Sequence, residues 1–171
     1  MVRKALASLA AVAATFALAA APPPAQPVPA QLYSGRWYEI ARLPNSNQRD
    51  CQAPTSDFVN FHNGVFRMVQ VCHRGAATGP ARTMSAQARI LPATNNAKIR
   101  VTFMGVINQE YWILDRADDG SWAIMATPGG NYVWLLSRRP TLDAATRARL
   151  IARIGQLGYP VARLQFPAQA G

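Results

Sequence analysis

From Gly35 to Arg138 short runs rich in Val, Ile, Phe, Tyr, Trp and Thr alternate with turn residues, at a spacing of about ten residues. The pattern predicts eight strands, over residues 35–41, 56–62, 65–73, 83–91, 98–104, 111–114, 122–126 and 132–136. Within 56–62, Phe58, Asn60 and His62 alternate with Val59 and Phe61. Asn63-Gly64 then supplies a strong two-residue hairpin signal. In 98–104, Ile99, Val101 and Phe103 alternate with Lys98, Arg100 and Thr102. Asp118-Asp119-Gly120 and Pro128-Gly129-Gly130 mark later turns. The connections leave no room for crossover helices, so the strands pair as sequential antiparallel hairpins in a barrel or a sandwich.

The tail changes period. Leu150, Ile151, Ile154 and Leu157 fall on one helical face, and Arg147, Arg149 and Arg153 on the other. Thr141 or Asp143 can cap this helix, over 144–157, and Gly158 with Pro160 ends it. Residues 161–166 read as a last short strand. A helix with one apolar stripe packs on the outside of something larger.

The beginning follows a third pattern. Arg3 and Lys4 precede an uncharged, Ala-rich stretch over 5–21 that ends at Pro22-Pro23-Pro24. Positive start, apolar middle and small residues before the break are the parts of a secretory signal peptide, expected over 1–21. The proline-rich 22–31 reads as an extended spacer, and 32–171 as the folded domain. With no cysteine at the end of the apolar stretch, a lipid-modified terminus is not expected, and the location implied is periplasmic or secreted.

Composition sharpens this. The 171 residues are 50% hydrophobic, enough for one domain with a real core. The net charge is +10, and +8 once Arg3 and Lys4 are removed; apart from Lys4 and Lys98 every basic residue is arginine. Nucleic acid is not the expected partner, because no interleaved basic–aromatic motif appears and the chain reads as exported. No metal-ligand cluster and no Ser/His/Asp or Cys/His arrangement is evident, so neither a metal nor any other cofactor is expected. His62 and His73 read as ordinary strand or surface residues. Cys51 and Cys72 both lie in the exported part. Pairing about Asn63-Gly64 sets Cys72 opposite Thr55, four residues from Cys51 in the preceding loop, and a disulfide is expected.

Three motifs, in order, carry a family resemblance. Tyr33-Ser34-Gly35-Arg36-Trp37-Tyr38-Glu39 resembles the Gly-x-Trp-Tyr signature that opens the first strand of lipocalins. Ala117-Asp118-Asp119-Gly120-Ser121-Trp122-Ala123 resembles the second signature, with Ala117 and Asp119 in place of its Thr and Tyr. Trp134-Leu135-Leu136-Ser137-Arg138 resembles the third, an arginine at the end of strand eight. Glu110-Tyr111-Trp112-Ile113-Leu114 is similar to the branch holding bacterial outer-membrane lipocalins and apolipoprotein D.

The resemblance implies an all-β, eight-stranded, antiparallel up-and-down barrel with one C-terminal helix packed outside. Gly35, Trp37 and Arg138 would close the barrel, with the guanidinium on the indole face. The implied partner is a small hydrophobic molecule, a fatty acid or lysophospholipid, and the implied role is lipid storage or transport without catalysis; a lipocalin-fold enzyme is the alternative. Counting parity from Trp37 gives Glu39 and Ala41 as inward; Phe58, Met68, Met84, Ile99, Val101, Phe103, Tyr111, Ile113, Trp122 and Tyr132 are the other candidate lining residues. Glu39 reads as a buried partner for an arginine or as a ligand-orienting group. Arg67, Arg82, Arg89 and Arg100 are candidates for an acidic headgroup, and the basic surface for peripheral contact with an anionic membrane.

Overall fold

The computed structural model describes residues 20–170; the expected signal peptide lies almost wholly outside them. Eight antiparallel strands close into one barrel in sequence order. They are β1 (Gly35–Arg42), β2 (Cys51–His62), β3 (Val65–Arg74), β4 (Ala81–Ile90), β5 (Lys98–Phe103), β6 (Ile107–Arg116), β7 (Trp122–Ala126) and β8 (Val133–Ser137). Each strand pairs only with its neighbours and β8 returns to β1, so no strand edge is left open.

One end is sealed. Trp37, Tyr33, Phe58 and Phe66 are buried there with Val28 and Leu32. Tyr33 stacks on Phe66 with ring centroids 5.3 Å apart, and Phe66 lies 5.1 Å from Phe58. The Arg138 guanidinium lies 3.7 Å from the centre of the Trp37 ring. It donates to the carbonyls of Ser34 (2.7 Å) and Arg36 (3.0 Å), while the Trp37 indole N–H donates to Leu32 O at 3.1 Å. Gly35 sits at φ +72°, and a Cβ there would stand 3.4 Å from Arg138 Nη1; the position needs glycine for its backbone and for the close approach.

A second core lies outside the barrel. Helix α1 (Ala144–Gln156) is capped by Asp143, whose carboxylate accepts from Thr146 N at 2.8 Å. It buries Leu150 and Ile154 with Leu114, Ile124 and Leu135 of the barrel wall. Its arginines are not a free face: Arg153 pairs with Asp115 at 2.7 Å, and Arg149 lies over Trp122. Residues 161–166 are not a strand. They form a 3-10 turn (Val161–Arg163) and a single bridge, Arg42 to Gln165.

The proline-rich segment runs along the barrel and is bound to it, ending in a 3-10 turn (Ala30–Tyr33). Ala21 N donates to Pro128 O, Ala25 N to Leu114 O and Val28 N to Asn95 O. These bonds carry the chain from the open end to the sealed one, so the ordered fold starts about ten residues before Leu32.

Cys51 and Cys72 are disulfide-bonded with Cα atoms 5.3 Å apart. The pairing differs from the expected one: Thr55 stands opposite Val71, not Cys72. Cys51 belongs to β2, and two register shifts in β2, between Val59 and His62 and between Gln52 and Thr55, set it opposite Arg74, diagonal to Cys72. The bond closes a separation of 21 residues, for which chain entropy gives about 3 kcal/mol. The double variant C51S/C72S should therefore lose about that much stability, read as a lower urea midpoint; an unchanged midpoint would show that the bond constrains little.

Candidate functional site

Register assigns every inward position. Trp37 pairs with Ser56, Phe58 with Met68, Met68 with Ala86, Ile99 with Tyr111, and Met125 with Trp134. Buried with these are Val101, Ile113, Ala88 and Leu136. Near the sealed end the barrel is filled with side chains. Toward the other end the same inward faces open: Met68 is 3% exposed, whereas Met84, two positions beyond its partner Ala86 on β4, is 43% exposed. Phe103, Tyr111 and Trp134 are partly buried and pack against the same inner core. The Tyr111 and Trp134 rings meet edge to face at 5.6 Å, and Tyr132 lies 6.0 Å from Trp134. Burial pushes the Tyr111 hydroxyl up to about 12, so it stays protonated at neutral pH and can donate.

Two expected lining residues face the other way. Ala41 pairs with Leu135 and packs in the outer core. A bulge between Glu39 and Ala41 shifts the register of β1 against β8, so that Glu39 opposes inward Leu136 and Arg42 opposes inward Trp134. Trp122 pairs with Ser137 on the outer wall, beside α1; Ala123 and Met125 of that strand point inward.

The bulge places a charged pair inside the barrel. Glu39 is 6% exposed and Arg42 4%. Arg42 Nη1 donates to Glu39 Oε1 at 2.6 Å, and Nη2 donates to the carbonyls of Gln48 (2.9 Å) and Cys51 (3.1 Å). Gln48 Nε2 donates to the second Glu39 oxygen at 2.6 Å, and Gln48 Oε1 accepts from Trp134 Nε1 at 3.0 Å. Burial raises the Glu39 carboxyl above its ordinary pKa, opposed by Arg42 and Gln48, which favour the charged form. Glu39 thus has its arginine partner. The network ties the β1–β2 loop to the aromatic wall and orients Trp134.

Of the four arginines considered for an acidic headgroup, Arg67, Arg89 and Arg100 point outward, Arg100 pairing with Glu110 at 3.0 Å. Arg82 alone stands at the open end, opposite Cys72. His62 is exposed beside Asn63, and His73 lies on the outer wall opposite Ala81. Among the described residues no group of three or more His, Cys, Asp or Glu could hold a metal ion. Two grooves of about 350 Å³ each lie outside the barrel, one under the sealed end near Phe61 and Pro92, the other on the wall between Tyr38, His73 and Gln169.

Phe66, Arg42, Gln48, Met125 and Trp134 were not among the expected lining. The alternation of β3 could have given Phe66, two residues before Met68. Arg42 and Gln48 have no local signal, because the bulge and the loop set their direction.

A closed up-and-down barrel with one sealed end and an aromatic, partly open mouth is of the class that encloses one small molecule. The chain belongs to the lipocalin family: the family model for the lipocalin-like domain matches residues 28–169. It is 28% identical over 141 residues to outer membrane lipoprotein Blc of Vibrio cholerae, covering 80% of each chain. It is 25% identical over 146 residues to temperature-induced lipocalin-1 of Arabidopsis thaliana, covering 81% of this chain and 77% of that one. Insecticyanin from the tobacco hornworm Manduca sexta has the same fold, with a TM-score of 0.70 at 18% identity over 89% of this chain and 85% of that one. So has lobster apocrustacyanin A1, at 0.64 and 14% over 82% and 79%. Lipocalins bind small hydrophobic ligands and are in general not enzymes.

Proposed function

We propose that this lipocalin is exported to the periplasm or beyond the cell, and that it takes up a fatty acid or lysophospholipid at its mouth to store or transport it, without catalysis. One observation carries the reading: inward residues pass from sealed at Met68 to solvent-facing at Met84, and Phe103, Tyr111 and Trp134 are only partly buried against the same inner core. An acyl chain would lie on this apolar wall with its headgroup toward the rim, where Arg82 stands. The Vibrio cholerae relative named an outer membrane lipoprotein supports an envelope setting, and the excess of arginine suits contact with an anionic membrane. His62 lies at the sealed-end hairpin and His73 faces the outer wall, so neither points into the barrel, which supports a carrier over an enzyme.

Met84→Glu tests the site. A carboxylate on the apolar wall, near the headgroup of an acidic lipid, should weaken binding about tenfold or more. Titration with a fluorescent fatty-acid analogue, followed by tryptophan quenching, reads the change. Equal affinity in the variant would show that the ligand does not use this wall.

A further inference from the structure

The β2–β3 and β5–β6 hairpins share a pair of left-handed residues, in loops of two and three residues, and fill them differently. Asn63 and Gly64 have φ of +49° and +77°; Met104 and Gly105 have +48° and +75°. Two successive positive φ values mark the tight hairpin turn that favours Asn-Gly, because asparagine tolerates the left-handed region and most other side chains do not. At the sealed end the chain uses Asn-Gly. At the mouth a methionine takes the asparagine's place, at a cost in backbone strain. Its neighbours deepen the anomaly: Met104 is 81% exposed, Val106 76% and Ile107 52%. Turn formation asks for none of these side chains, and folding leaves all three in water.

The surroundings are basic. Strand direction puts the ends of β1, β3, β5 and β7 at the mouth. Arg49, Arg74 and Arg82 are exposed there, and among the described residues none of them makes an ion pair. Asp50 is the exposed acid that accompanies them. The described chain also enters the fold at this end, where Ala21 is bonded to Pro128.

We propose that the β5–β6 hairpin tip is a membrane-docking element: Met104, Val106 and Ile107 enter the surface of an anionic phospholipid bilayer while Arg49, Arg74 and Arg82 meet its phosphates. Exposed apolar side chains at a tip, on the end of the barrel that also carries Arg49, Arg74 and Arg82, match the layered chemistry of that surface, apolar beneath and anionic above. The docked barrel has its mouth against the source of its ligand, so the inference rests on the lipid-binding reading for its purpose, though not for its geometry.

The test is co-sedimentation of the full chain with vesicles of phosphatidylcholine and phosphatidylglycerol. The variant M104N/V106S restores the ordinary turn residue, so it should fold at least as well as the parent. Its partitioning should fall about tenfold. R74Q/R82Q should lose about fivefold per arginine on anionic vesicles and little on pure phosphatidylcholine. Hydrogen exchange on vesicles should protect the amides of residues 103–109. Protection confined to the apolar N-terminal residues, equal partitioning of M104N/V106S, or a concentration-dependent dimer lost in that variant would overturn the proposal, the last in favour of a contact between copies. Binding of the fatty-acid analogue is measured in parallel and should be unchanged in M104N/V106S. Tip-dependent docking without analogue binding would uphold the docking and sink the ligand reading; analogue binding without tip dependence would do the reverse.

Discussion

Trp37→Ala should cost the fold about 3–5 kcal/mol, read as a lower urea midpoint. The indole is the largest buried side chain at the sealed end, packed with Val28, Leu32, Tyr33 and Leu136. Its neighbours belong to a closed ring of strands and cannot collapse into the space, so the cavity persists. Two further losses add to it. Leu32 O loses the 3.1 Å indole donor, and Arg138 loses the ring beneath its guanidinium. Trp37→Phe keeps an aromatic ring under Arg138 and should cost clearly less. A domain of this kind has about 5–15 kcal/mol in all, so W37A should leave it marginal. Equal losses in W37A and W37F would mean that the N–H bond, not the packing, carries the seal.

Arg42→Ala is expected to cost about 3–5 kcal/mol, because it strands the buried Glu39 carboxylate and frees the carbonyls of Gln48 and Cys51. The loss should depend on pH. Burial already raises the Glu39 pKa, and Arg42 opposes that rise; without the arginine the carboxyl moves further up. A group with a raised folded pKa contributes stability below its unfolded pKa, and loses it as pH climbs through the folded value. R42A should therefore be less impaired near pH 5 than near pH 8, with the gap closing toward the ordinary carboxyl range. The double variant E39Q/R42M removes both charges and should recover part of the loss. A pH-independent loss in R42A would show that the exposed carbonyls dominate, not the stranded carboxylate.

The strands were legible because most of them bury one face and wet the other, and because turn residues separate them. Asn63-Gly64 located the first long hairpin, and Gly35, Trp37 and Arg138 marked the seal. The errors have physical causes. Trp122-Ala123-Ile124-Met125-Ala126 is apolar on both faces, because it lies between the barrel core and helix α1; no alternation survives to orient Trp122. The bulge after Glu39 follows from how β1 meets β8, almost a hundred residues away, and a bulge inverts every later side chain in its strand. So Ala41 was misplaced and Arg42 missed together. In β2, Ala53 and Asn60 take positive φ without being glycine, which moved the register that set Cys51. The helix period placed Arg149 and Arg153 opposite the apolar stripe but gave no partner for them, because a sequence does not show Asp115 and Trp122 waiting on the barrel wall.

On the proposed function, this barrel holds one acyl lipid, taken in through its mouth. Native mass spectrometry of the protein purified from its own cells tests it most directly. The expected spectrum holds a one-to-one adduct of an acyl lipid, displaced by added long-chain fatty acid and weakened by Met84→Glu. Protein without any adduct, which also takes up neither fatty acid nor lysophospholipid on incubation, would contradict it.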